Sequence, residues 1–296
     1  MAERQAVPLI VGAAGQVGHQ LAGVLGNGAL RTSRVDKGPG WLVLDLAEVA
    51  RRPSLAAELF RDHVISAVYC VGGATDVEGC ESHPELAADV NCHGPVALAA
   101  AAREVPFVYF STEYVFDGIV GPYIEDDAPC PISIYGRSKL RAERRILEVH
   151  PNPLILRTTV VYGPDPGEKN FLYSLRRLLS AGKTMRVPAD QVSTPTFNAD
   201  LAAAAVGLVK AKASGIFHVC GPDLLNRYDF AMLAAKVMGL DPSGITGVAT
   251  TELRQKAPRP LRAGLISEKL QTYLPGIHMQ SAEQGIQQWL AREYAI

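Results

Sequence analysis

Short apolar runs alternate with longer stretches whose apolar residues recur at helical spacing, over about two thirds of the chain. That rhythm predicts βαβ units and a parallel sheet. Val7 to Val11 reads as the first strand, and Pro8, with no N–H to give a ladder, is expected at its start. Val17, Leu21, Val24 and Leu25 then follow at i, i+4, i+7 and i+8, the apolar face of a helix. AVYCV (67–71), PFVYFST (106–112), PLILRTTVVYG (153–163) and GIFHVCG (215–221) read as further buried strands. Helices are expected between them: an alanine-rich one over 85–104, kinked or broken at Gly94-Pro95, an amphipathic one over 133–150, and one over 199–211. Asp200 stands near the start of the last, suited to an N-cap or to the helix dipole. Beyond residue 164 the strands shorten, Gly and Pro become frequent and the rhythm weakens. The expected architecture is α/β: a Rossmann-type doubly wound parallel sheet from 1–163 plus 200–221, with a smaller C-terminal substrate lobe from 164–199 plus 222–296.

The bulk composition narrows the function classes. A chain of 296 residues, 48% hydrophobic, can build one large α/β domain with an appended lobe. A formal net charge of -1 argues against nucleic acid as a partner. No run of 18 uncharged apolar residues occurs, so no membrane span is expected. The N-terminus passes into a short apolar run and a glycine loop without the pattern of a signal peptide, and a cytoplasmic location is expected. Cys70, Cys80, Cys92, Cys130 and Cys220 form no CxxC pair and are odd in number; the seven histidines are scattered. Neither a disulfide framework nor a metal site is expected.

Gly12-Ala13-Ala14-Gly15-Gln16-Val17-Gly18 places GxxGxxG between the first strand and the first helix. Gly12 permits a sharp turn, Gly15 lets the backbone approach a pyrophosphate, and Gly18 lets helix and strand pack closely, while the helix N-terminus offers free N–H groups to the anion. The second strand, near Ala29 to Thr32, runs into Thr32-Ser33-Arg34 with Lys37 beyond. Arg34 has the planar fork suited to a 2′-phosphate, and Thr32 and Ser33 can donate hydrogen bonds to it. NADP(H) is therefore favoured; Asp36, able to meet a ribose hydroxyl, keeps NAD(H) open. Asp45-Leu46 suits either an adenine contact or, for Asp45, a helix cap.

Tyr135-Gly136-Arg137-Ser138-Lys139 is YxxxK. Residues four apart share a helix face, so phenol and ammonium come together. The cation, together with a bound cofactor's positive ring in a dry site, would draw the phenol down from its usual pKa of about 10. Tyr135 would then donate a proton to a substrate oxygen in the reducing direction, and Lys139 would also hold a cofactor ribose. Phe110-Ser111-Thr112 ends an apolar strand, where α/β sheets place ligands. Thr112 would share the substrate oxygen with Tyr135; Ser111 would serve instead or cap the following turn.

These residues resemble the extended short-chain dehydrogenase/reductases, and within them the dTDP-4-dehydrorhamnose reductase family. The stretches carrying the likeness are GAAGQVGHQL (12–21), TDVEGCESHPE (75–85), STEYVFDG (111–118), PYIEDDAPCPISIYGRSKLRAE (122–143), LRTTVVYG (156–163), DQVSTPT (190–196) and RPLRAGL (259–265). The resemblance implies a catalytic triad of Thr112, Tyr135 and Lys139. It also implies a substrate wall of Val77, Glu113, Tyr114, Val160, Asn170, Phe171 and Gln191, with Asp190 and Thr196 beside it. The implied activity is NADPH-dependent reduction of the 4-keto group of a nucleotide-linked deoxysugar. Four departures bear on the sugar: Glu113 replaces the family's Asp, Val77-Glu78 its Val-Asp, Val160 a sugar-contacting Trp, and Arg262-Ala263 an Asn-Ser pair. Arg176, Arg177 and Lys183 suit a substrate diphosphate or simply a solvated helix face. The regulatory beta subunit of methionine adenosyltransferase is also similar, so a non-catalytic NADP-binding role is an alternative. A sugar-nucleotide dehydratase or epimerase is another, although Tyr114 stands where dehydratases carry their second acid. A homodimer remains open.

Overall fold

β1 (Val7–Val11) lies at the centre of a seven-stranded sheet, between β2 (Leu30–Ser33) on one side and β4 (Ile65–Cys70) on the other. β3 (Trp41–Val43) lies outside β2. β5 (Phe107–Thr112), β6 (Leu154–Thr158) and the strand Gly215–His218 extend the sheet beyond β4. Every pairing in this sheet is parallel. The computed structural model describes residues 5–293; residues 1–4 and 294–296, which the expected ranges include, lie outside the described residues.

The main helices are α1 (Gln16–Leu25), α2 (Leu46–Arg51), α3 (Ser54–Asp62), α4 (Val77–Ser82), α5 (Pro84–Ala88), α6 (Gly94–Ala101), α7 (Ile134–Val149), α8 (Phe171–Ser180), α9 (Asn198–Lys210), α10 (Arg227–Val237), α11 (Glu268–Tyr273) and α12 (Ala282–Glu293). Successive strand residues point to opposite faces. Ile10, Tyr69, Phe110 and Leu156 pack with Leu21 of α1 and Leu201 and Leu208 of α9. Leu9, Val11, Val68, Phe107 and Tyr109 pack on the other face with Leu98 of α6 and Ile146 of α7. Burial on both faces explains why these strands read as unbroken apolar runs. Tyr162, Phe197, Phe230, Ile286 and Trp289 form a further apolar cluster built mainly from later residues.

Several expectations shift on inspection. The β1–β4 register is irregular at Val7/Pro8, and β1 pairs with β2 only from Leu9, so the missing N–H of Pro8 falls at the edge of the regular ladder. Val24 is 49% exposed, because α9 covers only the Val17/Leu21 side of α1. The second strand sits one residue later than expected, at Leu30–Ser33. Gly94-Pro95 does not break its helix: the irregularity is a π-helical turn, Asp89–His93, which runs directly into α6 with Pro95 as its second residue. The run 153–163 is two strands, since β6 ends at Thr158 and Val161–Tyr162 pairs instead with Thr196–Phe197. Between them Val160 has φ 40°, the left-handed region that a β-branched residue rarely enters. Asp200 lies in the first turn of α9, whose N-cap is Phe197, and accepts the Gln280 N–H at 2.8 Å. Among the described residues no helix is long and apolar enough to cross a membrane.

Candidate active site

The chain reverses its direction of travel across the sheet between β1 and β4, and the loops leaving these two strands form a crevice at their carboxyl ends. The loops are nearly in contact: Val11 O accepts the Gly72 N–H at 2.8 Å, and a Cβ on Gly12 (φ 88°) would stand 2.6 Å from Gly72 Cα. A Cβ on Gly18 would collide with the Gly12 carbonyl oxygen, so close packing requires both glycines. Gly15 differs. It is exposed, and a Cβ there would meet only Gly12 O at 3.6 Å. Protein packing does not demand glycine at 15. The N-terminus of α1 has no side-chain cap and no acid in its first turn, leaving its positive end for an anion.

The second-strand residues divide between supporting this turn and facing solvent. Thr32 is fully buried; its hydroxyl accepts the Gly12 N–H at 3.2 Å and its carbonyl the Ala13 N–H at 2.9 Å. Ser33 Oγ accepts the Val35 N–H at 3.3 Å. Arg34 is exposed and makes no hydrogen bond or ion pair among the described residues. Asp36 accepts the Gly38 N–H at 2.8 Å, and Asp45 caps α2 by accepting the Ala47 N–H at 2.8 Å. Leu46 is buried against Gly72, and Val17 faces the core from α1. Gln16 reaches across to the later residues, donating to Val161 O at 3.4 Å and accepting from Asn170 Nδ2 at 3.2 Å.

Thr112 ends β5, and α7 begins with Ser133 as its N-cap, whose hydroxyl accepts the Gly136 N–H at 3.1 Å. A Cβ on Gly136 would clash with the Tyr114 carbonyl, so this glycine lets α7 lie against the turn after Thr112. Tyr135 is thereby placed beside Thr112, with the Tyr114 ring edge-on at 5.5 Å and Val77, Cys80 and Ala257 packed around it. One turn on, Lys139 is 5% exposed, donates to Phe110 O at 2.6 Å and lies 4.4 Å from the centre of the Tyr109 ring. A Cβ on Gly73 would be 3.7 Å from Lys139 Nζ, which places that ammonium at the loop after β4.

The expected lowering of the Tyr135 pKa by its lysine is not what the protein's own groups produce. Burial raises Tyr135 well above the usual phenol range, opposed chiefly by hydrogen bonding from the Thr112 hydroxyl, and Lys139 is not among the influences. Burial also lowers Lys139, to about 8. Desolvation penalises both charged forms; the positive ring of a bound cofactor is not among the protein's own groups. Tyr135 is a neutral phenol over the whole neutral range. Ser111 does not face the substrate side either: its hydroxyl donates to Glu143, which forms a buried ion pair with Arg157 at 2.7 Å.

Glu113 is 2% exposed and accepts from Ser193 Oγ at 2.9 Å; burial pushes its carboxyl up to about 7, with hydrogen bonding and Arg227 opposing. Tyr114 Oη accepts from Arg259 Nη1 at 3.1 Å, and Arg259 Nη2 donates to Glu78 at 2.9 Å. Asn170 caps α8, accepting the Leu172 and Tyr173 N–H groups, and its own amide donates to Gly163 O at 2.9 Å. Val160, Asn170 and Phe171 line a cavity of about 370 Å³ with Gly15, Gln16 and Arg227. Gln191 and Asp190 turn elsewhere: both side chains bind Thr250, at 3.0 and 2.6 Å. Thr196 is buried, donating to Thr194 O. Arg176 is committed to Glu293 at 2.5 Å, while Arg177 and Lys183 are exposed. A larger cavity, about 430 Å³, opens at the far end of the sheet beside Pro106, His150 and Lys212. It lies at the amino ends of the strands, where sheets of this type do not bind their ligands.

Three residues of this region carry no role in the sequence reading. Asn91, buried in the π-helical turn, accepts the Ala74 N–H at 2.8 Å and donates to Ala74 O and to Ser138 Oγ at 3.1 Å, tying the loop after β4 to α7. Its one signal was a polar residue inside an alanine-rich helix. Arg259 lay within a stretch quoted only for its likeness. Arg227 had no signal beyond charge.

A parallel sheet with a glycine turn at its switch point, and a Thr-Tyr-Lys group at the end of β5, define an NAD(P)H-dependent oxidoreductase of the extended short-chain dehydrogenase/reductase class. The profile of the RmlD substrate binding domain matches residues 7–295, and the chain belongs to that family, the dTDP-4-dehydrorhamnose reductases. It is 32% identical over 292 residues to dTDP-4-dehydrorhamnose reductase of Mycobacterium tuberculosis, covering 95% of this chain and 92% of that one. It is 38% identical over 214 residues to the probable low-salt glycan biosynthesis reductase Agl14 of Haloferax volcanii, covering 70% and 71% of the two chains. The structure of dTDP-4-dehydrorhamnose reductase from Bacillus anthracis in complex with NADP superposes with a TM-score of 0.86 at 27% identity, covering 98% of this chain and 99% of that one.

Proposed function

We propose that this chain reduces the 4-keto group of a nucleotide-linked deoxysugar with NADPH. The observation carrying the reading is Tyr135: a buried, neutral phenol beside Thr112 at the carboxyl end of β5, the same end of the sheet as the uncapped glycine turn before α1. Reduction of a ketone needs a proton delivered to the carbonyl oxygen as hydride reaches carbon, and a phenol that keeps its proton at neutral pH can deliver it.

Bound NADPH supplies the hydride. Gly12, Gly15, Gln16, Val17 and Gly18 would hold its pyrophosphate. Arg34 would pair with the 2′-phosphate, helped by Thr32 and Ser33, whose accepting hydroxyls still have a hydrogen to give. Asp45 and Leu46 stand on the adenine side. Lys139 would hold the nicotinamide ribose, and Thr112 would hydrogen-bond the same substrate oxygen that Tyr135 protonates. Val77, Glu113, Tyr114, Val160, Asn170 and Phe171 would border the sugar and its nucleotide; Gln191 would support that wall through its backbone.

The test is NADPH consumption across a panel of nucleotide-linked 4-keto sugars. At least one should be turned over, with its alcohol as product. Tight NADPH binding with no turnover of any would overturn the reductase reading in favour of a regulatory one.

A further inference from the structure

Arg227 opens α10, and its backbone N–H donates to Gln191 O at 2.9 Å, which fixes where its side chain starts. The guanidinium lies over the Phe171 ring, 5.2 Å from its centre, and lines the cavity of about 370 Å³ that also meets Gly15, Gln16 and Val160. Stacking on Phe171 restrains the plane of the fork while leaving its edge N–H groups free to bond. Among the described residues this side chain makes no hydrogen bond and no ion pair. By contrast Arg259 is occupied with Glu78 and Tyr114, Arg176 with Glu293, and Arg157 with Glu143.

The guanidinium is partly exposed and lines the cavity, so its unpartnered N–H groups are placed to meet an anionic oxygen there. Glu113 is the nearest internal counter-charge, but it does not bond to Arg227, and its carboxyl, pushed up to about 7, is only partly ionised at neutral pH. Compensation within the protein is therefore incomplete. Val160 lines the same cavity.

We propose that Arg227 binds an anionic oxygen group of the nucleotide-linked substrate, either a phosphate of the linker or a carboxylate on the sugar ring. The proposal rests on the nucleotide-sugar reading above. It makes Arg227 a specificity-determining residue, distinct from the Thr112, Tyr135 and Lys139 group.

Binding of three probes to the NADPH-loaded wild type and to Arg227→Met, by calorimetry, tests it: a nucleoside diphosphate, the same nucleotide carrying a neutral hexose, and the same nucleotide carrying a hexuronic acid. Unchanged NADPH affinity in the variant shows that it is folded. A loss of about tenfold or more for all three probes assigns Arg227 to the linker phosphate; the same loss for the hexuronic acid alone assigns it to a ring carboxylate. Arg227→Lys should recover part of the loss, because the charge remains and the fork does not. Affinities within twofold of wild type for every probe would overturn the proposal and leave the nucleotide-sugar reading intact. A wild type that binds none of the three would overturn that reading, and this proposal with it.

Discussion

The Gly136 Cα and the Tyr114 carbonyl oxygen are so close that no side chain fits between them. This contact seats α7 against the turn after β5 and brings Tyr135 to Thr112. Gly136→Ala should force the helix outward. Overpacking of this kind costs about 1–3 kcal/mol, read from urea unfolding, and kcat should fall far more than NADPH affinity, because the glycine turn at Gly12–Gly18 is untouched. Wild-type kcat in the variant would show that the contact does not position the phenol.

Glu113 should make stability depend on pH. Its carboxyl lies at about 7 in the folded chain against 4.5 for the free group, so the folded state holds a proton that the unfolded state releases. Its contribution is therefore fully present below about 4.5, is lost as pH rises to about 7, and is flat above that. At about 1.4 kcal/mol per pH unit the loss is roughly 3 kcal/mol. Glu113→Gln, neutral throughout, should be more stable relative to wild type at pH 8 than at pH 5 in paired urea titrations. A constant difference between the two proteins would mean that Glu113 titrates normally.

Val160 carries backbone strain at φ 40° on the wall of the cavity. A left-handed conformation costs a β-branched residue on the order of 1–2 kcal/mol, which glycine avoids. Val160→Gly should therefore raise the urea midpoint, or at least leave it unchanged despite the lost apolar contacts. A clear fall would show that side-chain packing outweighs the strain.

Much of this arrangement was legible because its causes are local. Gly18 answers to atoms of its own βα turn, and Tyr135 and Lys139 share one helix, so short motifs sufficed; Gly12 was found through the same motif although the atoms that demand it belong to Gly72, far off in sequence. The strands at 67–71 and 106–112 were readable because burial on both faces leaves an uninterrupted apolar run. Other features depend on partners distant in sequence. Ser111 turns to Glu143, Asn91 binds Ala74 and Ser138 from a π-helical turn, and Gln191 is drawn to Thr250. Nothing at those positions announces its partner. For Tyr135 and Lys139 spacing reports which groups are near, whereas burial shifts their charge equilibria in a way no motif announces.

Arg34, exposed and without an internal partner, should decide the cofactor. Arg34→Ala should weaken NADPH binding by about 1.5–3 kcal/mol, the worth of a charge-assisted contact, and leave NADH binding nearly unchanged. Direct titration of both nucleotides checks this. Equal losses would return Arg34 to the role of a solvated loop residue.

The most direct test of the account is Tyr135→Phe, assayed for NADPH oxidation with the best sugar substrate and for NADPH affinity. With the phenol in its proposed role of proton donor, turnover should drop by about 10²–10⁴-fold with cofactor affinity little changed. A phenylalanine variant turning over at close to the wild-type rate would contradict it.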